Sequence, residues 1–426
     1  MLAVALFSLL SAFALNVNAV PCVQFDASWN LYAFGGDQDV KLGSNSSWAQ
    51  PSVSPLTTSG RPPWTGDNAQ CILSQTNNAM YVVGGDSSDL SKIYIYNFAS
   101  DSWSSQTTSG APSDLGNSRS SSILDHDTNV IFTLTTGSGL YQLDMSSVTN
   151  AASSNALSWE AVSSPSFTET GYTVTAAQAA NHVFYFGVPG TAAGSANLFV
   201  VHYAYFQPDA QKFSGTAFPD SAGQAISIPN ESDNVPYSMV FVPNDFSNTY
   251  IATHWTDLGD YTVTTGAPFA TDIINSTQTV SAPTSQDKAA SYAASPYDLV
   301  QIDTTGQIYY YNNVINSDYT VPSGGSWQKM SYALTGGSAS SSNSTSSSAA
   351  PSGSASASAS GASASQSGSA TGSATGSASR SGSSASASAS ASSGSGNSSA
   401  AGRSVTRGDV IGLALGVVAI GASFFM

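Results

Sequence analysis

The sequence predicts an all-β fold: a β-propeller of about six four-stranded blades, followed by a Ser/Ala-rich segment that cannot fold. Three observations predict it. A unit of about 50 residues repeats along the first three quarters of the chain, helix-favouring runs are scarce there, and the composition breaks sharply near residue 336.

The repeat is legible in the text of the sequence. T-T-S-G stands at 57–60 and again at 107–110, and on nearly that offset M-Y-V-V-G-G (80–85) falls on V-I-F-T-L-T (130–135). Carried along the chain, this phase gives six units. Their second strands are expected to begin at Leu31, Met80, Val130, Val183, Thr249 and Leu299, at spacings of 49, 50, 53, 66 and 50. Asn closes the preceding turn in five of them, at Asn30, Asn78, Asn129, Asn181 and Asn248. Asn tolerates the left-handed backbone that a tight hairpin needs.

Each unit continues with a short third strand: D-V-K-L, K-I-Y-I-Y, G-L-Y-Q-L, N-L-F-V-V-H-Y, D-Y-T-V (260–263) and Q-I-Y-Y-Y. Tryptophan is expected to open the fourth strand in four units, at Trp48, Trp103, Trp159 and Trp327. A repeated unit that cannot bury its apolar faces alone must stack on its neighbours, and four antiparallel strands per unit make that stack a propeller.

A strand ending in Gly-Gly, then an aromatic-alternating strand, then Trp, resembles the kelch motif. The match is best over Met80–Gly85, Lys92–Tyr96 and Trp103, and holds in the first unit over Leu31–Gly36 and Trp48. The last four units lack the Gly pair and the fifth carries an insertion, so six blades are expected and seven stay open. The Gly pairs and tryptophans are read as scaffold: Gly supplies unusual φ at a strand end and Trp packs blade on blade.

Residues 1–19 read as a secretory signal peptide, an apolar run with small residues before the expected cleavage. Secretion places the two cysteines in an oxidising compartment. Cys22 and Cys71 stand eight and seven residues before their turn asparagines, early in the innermost strands of adjacent units, and are expected to form a disulfide. N-glycosylation sequons begin at Asn45, Asn230 and Asn275, with two more at Asn343 and Asn397.

The propeller is expected to occupy 20–335. Residues 336–402, almost wholly Ser, Ala, Gly and Thr, have no large apolar side chains to offset their ordering entropy and read as a disordered, O-glycosylated stalk. Residues 403–426 end in a hydrophobic run, 410–426, behind a polar spacer and a small-residue cluster, Asn397, Ser398 and Ser399. That order is the signal for a GPI anchor, with those three residues as attachment candidates; a transmembrane helix at the tail is the alternative. Stalk and anchor together resemble those of fungal cell-surface proteins, and the expected location is the outer leaflet of the plasma membrane or the cell wall.

With 10 basic and 26 acidic residues the chain carries a formal charge of −16, which repels nucleic acid and anionic lipid. The chemistry-bearing residues are sparse. The D-H-D at 125–127 reads as a turn and His182 as structural, so no metal or other cofactor is expected. Kelch propellers include radical copper oxidases, which need adjacent histidines and a Cys cross-linked to Tyr; no two of the four histidines here are adjacent. No G-x-S-x-G nucleophile elbow lies on a strand-to-helix turn. A glycosidase would need two carboxylates converging at the channel, for which Asp37, Asp86, Asp125, Asp127, Asp144 and Asp303 are candidates. The expected function is therefore binding, to wall carbohydrate or protein, through loops on one propeller face. The alternatives are a divergent carbohydrate-active enzyme and a passive wall component.

Overall fold

In a computed structural model of the chain, each repeat folds as an antiparallel sheet. The chain divides into two units, residues 1–345 and 346–426. The described residues are 21–336, apart from 67, 118–119, 232–234 and 255–272. The expected signal peptide, the stalk beyond Gly336, the tail and the sequons at Asn343 and Asn397 lie outside them, as do the attachment candidates Asn397, Ser398 and Ser399.

Blade 1 comprises β1 (Cys22–Phe25), β2 (Leu31–Phe34), β3 (Val40–Gly43) and β4 (Ser54–Pro55). Blade 2 comprises β5 (Gln70–Ser74), β6 (Ala79–Val83), β7 (Lys92–Asn97) and β8 (Ser102–Ser109). Blade 3 comprises β9 (Ser120–Asp125), β10 (Val130–Thr135), β11 (Gly139–Asp144) and β12 (Leu157–Ser163). In blade 4, β13 (Ala176–Ala179), β14 (His182–Tyr185) and β15 (Ser195–Val200) are followed by two short pieces, β16 (Tyr205–Phe206) and β17 (Gln211–Lys212), both paired with β15. Blade 5 comprises β18 (Gly223–Ile228), β19 (Ser238–Pro243), β20 (Thr249–His254) and β21 (Ile274–Val280). Blade 6 comprises β22 (Ser291–Ala294), β23 (Leu299–Ile302), β24 (Gln307–Tyr311) and β25 (Gln328–Ala333).

The innermost strands touch in a closed ring, β1–β5–β9–β13–β18–β22 and back to β1. Six hydrophobic clusters fill the six gaps, each shared by two adjacent blades. Among the described residues the propeller therefore has six blades, which decides the alternative of seven. The second strands β2, β6, β14, β19 and β23 are buried along their whole length, because both of their faces meet a neighbouring blade. That is why they read as continuous apolar runs rather than as alternating ones.

The Gly pair has a mechanical reason. Gly84 adopts φ +70° to turn out of β6, and a Cβ there would lie 3.1 Å from the Asn68 carbonyl oxygen and the Gly116 Cα. A Cβ on Gly85 would lie 2.9 Å from Pro62. The tryptophans pack each blade on the one before it. Trp48 stacks edge-on against Tyr310 of blade 6, Trp103 against Phe34 of blade 1, and the indoles of Trp159 and Trp327 donate to Thr108 Oγ1 and the Ser281 carbonyl.

Three expectations need correction. In blade 5 the run from Thr249 is the third strand, since β20 pairs with both β19 and β21; the true second strand is Ser238–Pro243. The extra length lies in two connections, 229–237 between β18 and β19 and 255–273 between β20 and β21, and D-Y-T-V (260–263) falls outside the described residues. Second, Asn78 and Asn129 do take the left-handed conformation, at φ +47° and +58°, but in blades 1, 4 and 5 Trp29, Ala180 and Phe246 take it instead of Asn30, Asn181 and Asn248. Third, Trp48 follows a 3₁₀ turn at Asn45–Ser47 and does not open a strand; β4 begins six residues later.

Cys22 and Cys71 are joined, with their Cα atoms 6.4 Å apart. They lie on β1 and β5, the innermost strands of adjacent blades, so the expected position of the bridge holds. Blades 2 and 3 are tied differently. Their outermost strands β8 and β12 pair in parallel at Leu157–Thr108 and Ser158–Ser109, merging the two blades into one eight-stranded sheet.

Candidate functional site

Strands alternate in direction, so within every blade the 1–2 and 3–4 connections share one propeller face, and the 2–3 and blade-to-blade connections share the other. This rule gathers the chain's four histidines. His126 follows the end of β9, His182 begins β14, His202 follows β15 and His254 ends β20. All four stand on the 1–2/3–4 face, in blades 3, 4 and 5.

Two of them form a buried pair. His182 Nδ1 lies 3.0 Å from His254 Nε2, and the rings stack with centroids 5.1 Å apart. His254 is wholly inaccessible and its backbone N–H donates to the Tyr237 carbonyl. Burial, and then the charges of His254 and His202, push His182 down to about 3, so it is neutral at ordinary pH. The other two flank a carboxylate: Asp127 is 3.3 Å from His126 Nε2 and 3.8 Å from His202 Nε2. Asp127 and the His202 side chain are each 44% exposed, so this part of the cluster meets solvent.

Gln178 on β13 locks the base of the cluster. Its amide nitrogen donates to Asp125 Oδ1 at 2.9 Å and to the Ala180 carbonyl at 3.0 Å, and lies 3.3 Å from His126 Nδ1. Asp125 also accepts from the Thr128 hydroxyl. The D-H-D turn thus splits its roles, with Asp125 fully buried as an anchor and Asp127 outside.

Next to His202 in the chain, the same face carries two exposed tyrosines, Tyr203 and Tyr205. Val201–Tyr203 is a 3₁₀ turn whose C-cap, Ala204, is left-handed at φ +47°, ψ +48°. For a residue with a Cβ this conformation costs about 1–2 kcal/mol. The surroundings hold it: Val201 N–H donates to the Asn181 carbonyl and Ala204 N–H to the Val201 carbonyl, while Val201 and Phe206 are buried. What the turn displays is Tyr203, 78% exposed, followed by Tyr205 at 41%. Val53 is the one other exposed large apolar side chain among the described residues.

Near the axis this face is bridged. The first hairpin of blade 5 reaches across to the opposite blade, where Gln75 Nε2 donates to the Asn230 carbonyl at 3.1 Å. Next to it, the Tyr297 hydroxyl of blade 6 donates to Glu231 Oε2 at 2.9 Å.

The carboxylates considered for hydrolysis divide between the two faces. Asp37, Asp86 and Asp303 stand on 2–3 loops of the other face, and Asp86 and Asp303 cap their own turns through Ser88 and Thr305. Asp125 and Asp127 belong to the histidine face, and Asp144, at the end of β11, accepts the Ser146 N–H. Among the described residues no three His, Cys, Asp or Glu side chains are placed to hold a metal ion.

Of the sequons, Asn275 is exposed on β21, the outermost strand of blade 5. Asn45 is exposed too, but its amide donates to the buried Asp298 of blade 6 at 3.0 Å. Asn230 is half-buried in the bridging hairpin.

The histidine cluster was not read from the sequence, which treated His126 and His182 one at a time. The missing signal was phase. With Thr249 taken as a second strand, His254 falls on the opposite face; as the end of a third strand it meets His182.

A family model described as Kelch motif matches residues 74–109, the span from the end of β5 through β8. No curated protein matches the chain. Solved structures that it is similar to include a catalytically inactive virginiamycin B lyase from Staphylococcus aureus with quinupristin, at 8% identity and TM-score 0.38, covering 75% of this chain and 86% of that one. A second is the hydrazine synthase of Kuenenia stuttgartiensis, at 7% identity and TM-score 0.39, covering 72% of this chain and 80% of that one. The chain folds as a six-bladed β-propeller whose second blade carries a kelch motif.

Proposed function

We propose that the protein is a cell-surface binding propeller, carried on its glycosylated Ser/Ala stalk and held by a lipid anchor, whose ligand is a carbohydrate or protein of the surrounding wall. The observation that carries this reading is the asymmetry of the two faces. The 2–3 face presents no exposed large apolar side chain among the described residues, and its Asp86 and Asp303 are bonded within their own turns. The 1–2/3–4 face presents the exposed Tyr203 and Tyr205, the His202 imidazole and, beside it, the partly exposed Asp127 carboxylate on a frame of packed blades, the arrangement of a binding surface. The polar stalk and the terminal apolar run, 410–426, support display outside the cell.

Two measurements test it. A phosphatidylinositol-specific phospholipase should release the protein from intact cells; retention, together with recovery of peptides from 410–426, would establish a transmembrane tail instead. The released protein should co-sediment with isolated cell walls. Failure to bind them would leave only a passive surface component.

A further inference from the structure

From the geometry we infer that the blade-4 tyrosines Tyr203 and Tyr205, with His202 next to them in the chain and Asp127 beside it, form a subsite for a neutral polysaccharide. The inference rests on the binding function proposed above and specifies where the ligand sits and what it is. A sugar ring offers an apolar C–H face and a rim of hydroxyl groups. An exposed aromatic ring matches the first, because its π-face is apolar and polarisable while its hydroxyl keeps a polar tip. A donor and acceptors match the second: the His202 imidazole, 3.8 Å from Asp127, and the carboxylate oxygens of Asp127, which accept.

Charge and area select among occupants. With 26 acidic against 10 basic residues, and the Asp127 carboxylate beside His202, an anionic glycan is repelled. The two rings together offer roughly 200–300 Å² at their degrees of exposure, an area that a few sugar rings cover. A row of sugar rings needs no more than this, and repetition along the polymer supplies avidity.

Preorganisation strengthens the match. Tyr203 is displayed by a 3₁₀ turn pinned by two backbone hydrogen bonds and two buried anchors, Val201 and Phe206. Tyrosine has only two side-chain torsions to order, so little entropy is lost on binding. The left-handed Ala204 completes the display, and strain of this kind persists where the surroundings impose it.

The experiment uses the purified protein with isolated walls, insoluble β-1,3-glucan, chitin and, as an anionic control, polygalacturonate. Wild type should sediment with walls and with at least one neutral polymer, and not with polygalacturonate. Replacing both rings (Tyr203→Ala with Tyr205→Ala) should weaken retention by about tenfold or more, the scale of an interface hot spot. Tyr203→Phe with Tyr205→Phe should retain most of it, and thermal melting should confirm that both variants fold. As a second readout, soluble oligomers of the bound polymer should protect Tyr203 from nitration.

The outcomes separate the two proposals. If wild type ignores the walls altogether, the binding function itself fails. If it binds walls while the double alanine variant binds equally well, or if nitration of Tyr203 is unaffected, the subsite is overturned and the function stands. Wall binding that protease treatment of the walls abolishes would assign the site to a protein partner.

Discussion

Blades 2 and 3 and blades 4 and 5 are built on one plan and put to different ends. In blades 2 and 3 the repeat is regular, the turns take their left-handed residue at Asn78 and Asn129, and the outer strands zip into one continuous sheet. Their polar side chains close local turns or cross-blade bonds, as Tyr81 does with the Val148 and Thr149 carbonyls. Blades 4 and 5 break the pattern at each of these points. The fourth strand of blade 4 is split into two pieces, the first hairpin of blade 5 is extended across the axis, and the turn residues are Ala180 and Phe246. The same two blades contribute three of the four histidines and both exposed tyrosines. A scaffold of identical wedges tolerates irregularity in one sector because each wedge is held mainly by its two neighbours. The irregular sector is where distinct chemistry has room.

The comparison can be broken or sharpened in four ways. The largest effect should come from the bridge that ties regular blade 2 to blade 1. Cys22→Ser with Cys71→Ser opens a loop of about 50 residues and should cost about 4 kcal/mol in a denaturant titration, the loop-closure entropy of that length. Thiol labelling of unfolded, non-reduced wild type should find no free thiol; two labelled cysteines would dismiss the bridge.

Gly84→Ala comes next. It demands φ +70° of a residue with a Cβ 3.1 Å from two backbone atoms, and the expected loss is about 2–3 kcal/mol. Gly171→Ala, in the entry to blade 4, shares the positive φ (+77°) but meets nothing within 4 Å, and should lose only the cost of the conformation, about 1–2 kcal/mol. Equal losses at the two positions would mean that close packing does not distinguish the sectors.

The third test uses acid. His182 titrates near 3 in the fold against 6.5 when unfolded, so the unfolded chain binds the extra proton and stability falls as the pH drops through that window. The loss from this group should reach about 2 kcal/mol at pH 5, at about 1.4 kcal/mol per pH unit. Asp39 works the other way: burial raises it to about 6, so its folded form takes up a proton first and its contribution is lost as the pH rises from 3.8 to 6. Comparing His182→Asn with wild type removes the Asp39 part. The variant should lose less stability than wild type on acidification, and parallel curves would show that the histidine pair is not a site of acid sensitivity.

The smallest effect should be at the surface. Asn275→Gln should increase electrophoretic mobility by one glycan and change stability by less than about 0.5 kcal/mol, because Asn275 is exposed on an outer strand. No mobility shift would mean that this sequon is unused.

The sequence by itself determined the repeat, its period, the all-β class and the place of the disulfide. Each follows from local chemistry that recurs at fixed spacing: apolar runs that must be buried on both faces, Gly where a Cβ has no room, and two cysteines at matching heights of adjacent strands. Tertiary structure alone decided blade 5 and the histidine cluster. Which of two strands pairs with which is set by hydrogen bonding between distant segments, and a 66-residue unit offers two apolar runs, Ser238–Pro243 and Thr249–His254, either of which could be a second strand. Choosing the wrong run reverses the direction of the chain at His254 and carries that side chain to the other face. Only the closed ring brings it within 3.0 Å of a histidine 72 positions earlier, because only the ring fixes which ends of which strands are neighbours.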